Sequence, residues 1–345
     1  MRAWGDRSRK HEDDGHGGGR DHAHAHPHAP GSPGAPPRVG FVGAGHVGLG
    51  LGIAFSAAGW PVTAVASRDP DRRARFRDAV PGAAAYVEPS AVLDEVDLCF
   101  LTVPDDAIAS VAARLRLYSG QALVHTSGAR PASDLAPAMA AGTGAGSFHP
   151  LLSFAEPQRA ARELRGATVA LDGDDALVGV LGNLAEAVGA RPVRIPEGGK
   201  GAYHAAAVVA SGGLVALLDA IAELARGAGL DEAGALAIYG PLLRGTLANA
   251  ERIGIAAALS GPFGRGDVGT VEAHLDSMAR LAPGAVEVYR ALARRELAIA
   301  AGQWEREGNG PPAEARAALE RLLSGPGLRG TVTLRPGSEA LPWRP

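Results

Sequence analysis

From Arg38 onward the chain alternates short apolar runs with stretches of helical spacing, the runs falling at 38–43, 61–66, 97–103, 121–126, 144–148, 167–171 and 191–195. Such alternation predicts a mostly parallel sheet with helices on both faces. After Pro196 the strand pattern stops. Gly201–Arg226, Asp231–Arg252, Asp267–Leu281, Ala285–Arg306 and Pro312–Leu323 carry apolar residues at helical spacing with few β-branched clusters. The expected fold class is therefore a doubly wound α/β domain followed by an all-α C-terminal domain.

The ends break this pattern. Residues 1–37 hold His11, His16, His22, His24, His26 and His28 among Gly, Pro and acidic residues, and residues 326–345 return to Gly, Pro and Arg without periodicity. Neither end offers enough apolar surface to offset chain ordering, so both read as disordered tails. The alternating histidines could capture a transition metal, but the blander reading is solvated coil, and no metal site is assigned. The 345 residues then divide into a domain over 38–196 and a second over 197–325.

Composition narrows the function classes. A formal net charge of -3 and scattered arginines make nucleic acid an unlikely partner. The single cysteine, Cys99, lies in an apolar run and reads as a small core residue, excluding an internal disulfide. Met1 to Pro37 lacks the apolar segment of a signal peptide, so a cytoplasmic location is the default. Ala202–Leu218 is apolar but slightly short for a membrane span and contains Tyr203, His204 and Ser211. A helix buried between domains or subunits is the expectation.

One turn carries the clearest chemistry. The strand ending at Val42 runs into Gly43-Ala44-Gly45-His46-Val47-Gly48 and then a helical pattern. In that context the glycines read as a Rossmann dinucleotide fingerprint: a tight turn at Gly43, close backbone approach to a pyrophosphate at Gly45, and close helix packing at Gly48. The helix N-terminus adds N–H donors and partial positive charge. The second strand ends in Ser67-Arg68, where NAD-binding chains place an acid for the ribose. A hydroxyl and a guanidinium suit a 2′-phosphate, with Arg72 or Arg73 adding charge, so NADP is favoured. Asp69 dissents, because a small shift of register would put a carboxylate against the ribose.

The glycine turn is joined in order by Thr102-Val-Pro-Asp-Asp106, Val124-His-Thr-Ser-Gly128, Ser147-Phe-His149-Pro150-Leu151, Tyr203-His204-Ala-Ala-Ala and Leu259-Ser-Gly-Pro-Phe-Gly-Arg265-Gly-Asp267. Together these resemble the bacterial proteins that join a Rossmann-like domain to a DUF2520 domain, in the superfamily of pyrroline-5-carboxylate reductase and 6-phosphogluconate dehydrogenase. The resemblance covers about residues 38–300. It implies a Rossmann domain, a helical substrate domain that frequently forms homodimers, and an oxidoreductase role. The superfamily's usual Ser-Asn pair stands here as Ser211-Gly212, which puts one substrate-orienting contact in doubt.

Ligands of this fold sit beyond the carboxyl ends of the strands. Val103, Pro104 and Asp105 should therefore line the nicotinamide ribose, and His125, Ser127 and His149 should lie nearby. His149 is the substrate-pocket candidate, and His125 cofactor or loop support; either could instead be a structural hydrogen-bonder. Lys200, Tyr203 and His204 share one face at the start of the next helix, directed across an interdomain cleft. Reduction of C=O or C=N needs a proton donor, and Lys200 and His204 are the best candidates, against a solvated lysine and a packed imidazole. Arg265, flanked by glycines, could grip an anionic substrate or pair with Asp267, itself a candidate helix cap. The expected function is NADP-dependent reduction of a small carbonyl or imine acid, with a noncatalytic NADP-binding sensor or scaffold as the alternative.

Overall fold

The computed structural model describes residues 36–324, apart from 197 and 309. The expected tails, except Pro36 and Pro37, lie outside the described residues, and the histidine tract with them. Contacts gather the chain into two units divided after Ala207. Lys200, Tyr203 and His204 thus belong with the first.

That unit is an eight-stranded sheet ordered β3-β2-β1-β4-β5-β6-β7-β8. The strands are β1 (Val39–Val42), β2 (Val62–Ala66), β3 (Ala84–Tyr86), β4 (Leu98–Leu101), β5 (Ala122–His125), β6 (Gly144–Pro150), β7 (Thr168–Gly173) and β8 (Arg191–Arg194). All neighbours are parallel except β6 and β7. Seven of the eight strands coincide with the apolar runs. The exception, β3, has 3 residues and an exposed first one, too little for any periodicity to register.

Apolar side chains fill both faces because successive strand residues point to opposite sides. On one face Phe41, Phe55, Phe76, Phe100 and Phe148 are fully buried in one cluster. Their rings meet at centroid separations of 5.3 to 6.0 Å, and Phe148 sets its edge against Phe55 and Phe100. On the other face Val42, Cys99, Leu101 and Leu123 form a second buried layer. Phe148 therefore anchors β6 in the first layer while its neighbours Ser147 and His149 emerge on the opposite side.

The second unit is helical: Leu214–Gly227, Glu232–Ile253, Val268–Leu281, Val286–Glu307 and Ala313–Leu323 follow the predicted segments. Two short helices, Ile255–Ala258 and Pro262–Arg265, replace the expected loop between them. The largest buried cluster here is built on Phe263, Val271, Leu297, Trp304 and Leu319. The apolar helical stretch runs from Lys200 to Gly227, 28 residues that contain an 18-residue window with a mean hydropathy of 2.0, and passes through a π-turn at Val209–Gly213. By length and composition it suffices to cross a membrane, which the run Ala202–Leu218 alone falls short of. Only 11 % of its apolar window is buried, so within one chain the expected burial does not occur.

Candidate functional site

The glycine turn is built by close approach. Gly43 has φ 114°, a conformation that L side chains avoid, and a Cβ there would lie 2.5 Å from the Thr102 carbonyl oxygen. A Cβ at Gly48 would come within 2.2 Å of the Gly43 carbonyl oxygen. Thr102, just past β4, donates its hydroxyl to that carbonyl at 2.6 Å, pinning the turn to the next strand end. The helix α1 (His46–Ala57) begins after Gly45 with no side-chain cap, so its first N–H groups are free for an anion. Gly45 leaves open space in which Arg72 is the nearest neighbour, 4.0 Å from the position of a Cβ.

At the end of β2, the Asp69 carboxylate accepts the backbone N–H groups of Asp71 and Arg72 at 2.9 and 3.1 Å and pairs with the Arg72 guanidinium at 3.2 Å. It is the cap of the helix α2 (Pro70–Ala79), and the Arg72 N–H holds it below the usual carboxylate range. Capping gives this carboxylate a structural role of its own. Arg73 turns back to the Ser67 carbonyl, while Arg68 is exposed. A groove of about 410 Å³ opens beside the turn, lined by Gly45, His46, Arg72, Arg75 and Gln158 among others. An uncapped helix start facing arginines fits the phosphates of a dinucleotide.

The next strand ends form one hydrogen-bonded set. Ser127 donates its hydroxyl to Asp105 at 2.6 Å and accepts the N–H groups of Ala129 and Arg130. Val103 and Pro104 lead into this contact from β4. His125 is fully buried, one ring nitrogen accepting the Ser127 N–H at 3.2 Å and the other lying 3.1 Å from the Pro131 carbonyl oxygen. Both nitrogens hold the loop 126–131, the loop support that was one of the two roles expected of it. Burial, with the Lys200 charge, pushes its pKa down to about 4.

Lys200 is 6 % exposed and reaches back over these strand ends, donating to the Ser147 hydroxyl at 2.6 Å and the Ser127 carbonyl at 3.3 Å. Neither partner is charged, and burial lowers its pKa to about 8. The charge that opposes this most is Asp172, which register places opposite Ser147 on the antiparallel β7 and whose carboxylate accepts the Ala132 N–H at 2.8 Å. One turn on, the Tyr203 hydroxyl meets His149 Nδ1 at 2.9 Å, and the His204 ring lies 5.9 Å from that of His149. Burial raises Tyr203 to about 12; burial and the neighbouring His204 and Lys200 lower His149 to about 4.

Lys200, Tyr203, His204 and His149 are thus brought together, as their spacing and strand-end position led us to expect. Gly128 and Ser147 stood in the quoted motifs without an assigned role, and Asp172 was not singled out. Ser147 lay two residues before a suspect histidine, a usable signal, but Asp172 reaches the site only through the reversed strand, which nothing in the sequence announces. Asp267 caps the helix Val268–Leu281, bonding the Thr270 N–H and hydroxyl, and Arg265 stands 3.9 Å from it with 67 % of its side chain exposed. Both residues are in the second unit.

No curated protein matches the chain. Among solved structures, protein TM1727 from Thermotoga maritima is 26% identical, with a TM-score of 0.61 over 77% of this chain and 99% of that one. An imine reductase from Pseudomonas sp. is 19% identical, TM-score 0.57, over 84% and 99%. A reductive aminase from Aspergillus terreus, in complex with NADPH and ethyl-5-oxohexanoate, is 16% identical, TM-score 0.55, over 83% and 99%. Residues 30–150 match the Rossmann-like domain, and residues 167–296 match the domain of unknown function DUF2520. With a glycine turn that only close packing explains and a helical region after it, the chain belongs to the family that joins a Rossmann-like domain to DUF2520.

Proposed function

We propose that the protein is an NADP(H)-linked oxidoreductase that reduces a small carbonyl or imine acid, with Lys200 as proton donor. The observation that carries this reading is a buried ammonium held only by neutral oxygens, in the same unit as an uncapped phosphate-binding turn. The imine reductase and the NADPH-bound reductive aminase share the fold, which supports the reaction class.

Gly43, Ala44, Gly45, His46, Val47 and Gly48 would hold the pyrophosphate by backbone N–H groups. Ser67, Arg68 and Arg72 would take the 2′-phosphate, since Asp69 is engaged as a cap. When bound, the cofactor supplies hydride to the substrate carbon. Lys200 Nζ gives up a proton to the oxygen or nitrogen of the reduced bond, and its lowered pKa of about 8 makes that release easier than for an exposed lysine. His149, Tyr203 and His204 line the same place, and Ser127 steadies Asp105 at the cofactor side. Arg265, exposed in the second unit, is a candidate for binding an anionic group.

The test is NADPH oxidation with a panel of keto and imino acids, followed at 340 nm. At least one acid turns over in the native protein and not in Lys200→Met; no turnover across the panel, with NADPH bound tightly, would favour a noncatalytic NADP sensor. Gly212, with open space around it where the family resemblance implies an Asn, favours that second reading. We further propose that a second copy covers the exposed apolar residues Val209, Val215, Leu242 and Leu247 as a homodimer.

A further inference from the structure

We propose that Tyr203 is a positioning residue that fixes His149 as a neutral imidazole protonated on Nε2, so that His149 meets its ligand as a hydrogen-bond donor and not as an acid. The inference deepens the reductase reading, in that it gives His149 a role distinct from that of Lys200.

The argument begins with the contact between Tyr203 and His149 Nδ1 at 2.9 Å. A phenol is the stronger acid of the two neutral groups and a bare imidazole nitrogen the stronger base, so the hydroxyl donates and Nδ1 accepts. The ring's single proton then stands on Nε2. That nitrogen points at Gly128, where a Cβ would fall 2.8 Å from His149 Nε2 and 2.5 Å from His204 Nδ1. Only glycine lets both imidazoles come so close to the strand end. His204 Nδ1 is buried there without a hydrogen-bond partner.

Burial does most to keep the His149 ring neutral, the neighbouring His204, Lys200 and His125 act in the same direction, Asp105 opposes them, and the pKa falls to about 4. Tyr203 keeps its proton because burial raises it to about 12. Across the physiological range the pair therefore holds one arrangement, phenol to Nδ1 and Nε2–H on the side of Gly128. A neutral N–H suits an acceptor atom such as a carbonyl oxygen, and it leaves Lys200 as the group able to deliver a proton.

The test is long-range proton–nitrogen NMR on the full chain labelled with 15N-histidine, from pH 5.5 to 8.5, with His149 assigned by H149Q. The expected spectrum shows His149 as a single neutral Nε2–H form throughout, and Tyr203→Phe brings in the Nδ1–H form. A native His149 protonated on Nδ1, or carrying charge within this range, overturns the proposal without needing any variant. A Tyr203→Phe spectrum identical to the native one overturns the role of Tyr203. None of these readouts needs turnover, so they stand or fall separately from the substrate panel.

Discussion

The two units differ in how completely each buries its own apolar residues. In the first, five of the chain's 7 phenylalanines are fully buried in one layer and a second layer fills the other sheet face. In the second, Val209, Val215, Leu242, Leu247 and Ile255 are between 62% and 74% exposed, and two of its clusters rest on three buried alanines or near-alanine sets each. The difference teaches that the first fold is complete within one chain, whereas the helices carry apolar surface in excess of what they bury. An exception in the first unit is Lys200, a buried charge where apolar residues would be expected.

That exception yields the largest predicted effect. Lys200→Met removes a proton donor, so turnover should drop by about 10²–10⁴-fold, while NADPH still binds. The same change should raise stability at pH 7 because it replaces a buried charge. The sign follows from linkage: the folded pKa of about 8 lies below that of an unfolded lysine. Charged Lys200 opposes folding below pH 8, and stability rises with pH from there toward the unfolded value. A thermal melt of the variant that shows no gain over native would remove Lys200 as the exception.

Phe148→Ala should cost about 3–5 kcal/mol by opening a cavity in the phenylalanine layer, as urea unfolding would report. The contrast is Val215→Asp, whose exposed position in one chain predicts little loss for an isolated chain but dissociation of a dimer. Light scattering that shows the same mass for native and variant would break the comparison from its other side.

Smaller effects concern the cofactor and pH. Arg72→Ala should weaken NADPH binding by about tenfold, about 1.4 kcal/mol, and leave NADH nearly unchanged; equal losses for both would detach Arg72 from the 2′-phosphate. Reduction should slow as pH rises through about 8, where Lys200 loses its proton. A profile flat from pH 7 to 9.5 would deny it that role.

Much of this was legible in the sequence because it rests on local pattern. Apolar runs bounded by turns gave the strands, and Lys200, Tyr203 and His204 share a face by helical spacing alone. What escaped turns on where a side chain spends its atoms within its own loop, and on one strand pairing distant in sequence. Asp69, which dissented from the NADP reading, caps α2 with its carboxylate, and His125, expected as cofactor or loop support, has both nitrogens tied to the 126–131 loop. Asp172 enters through a strand reversal, and no spacing rule predicts which neighbour a strand takes or in which direction.

The shielding of Lys200 also bears on the rhythm of catalysis. An ammonium that is 6 % exposed has little direct contact with water, so a proton once given away must be restored through neighbours. Ser147, its partner at 2.6 Å, is itself fully buried, so it offers no direct path to water. If Lys200 is the proton donor proposed above, recovery of its resting state becomes a step with its own rate.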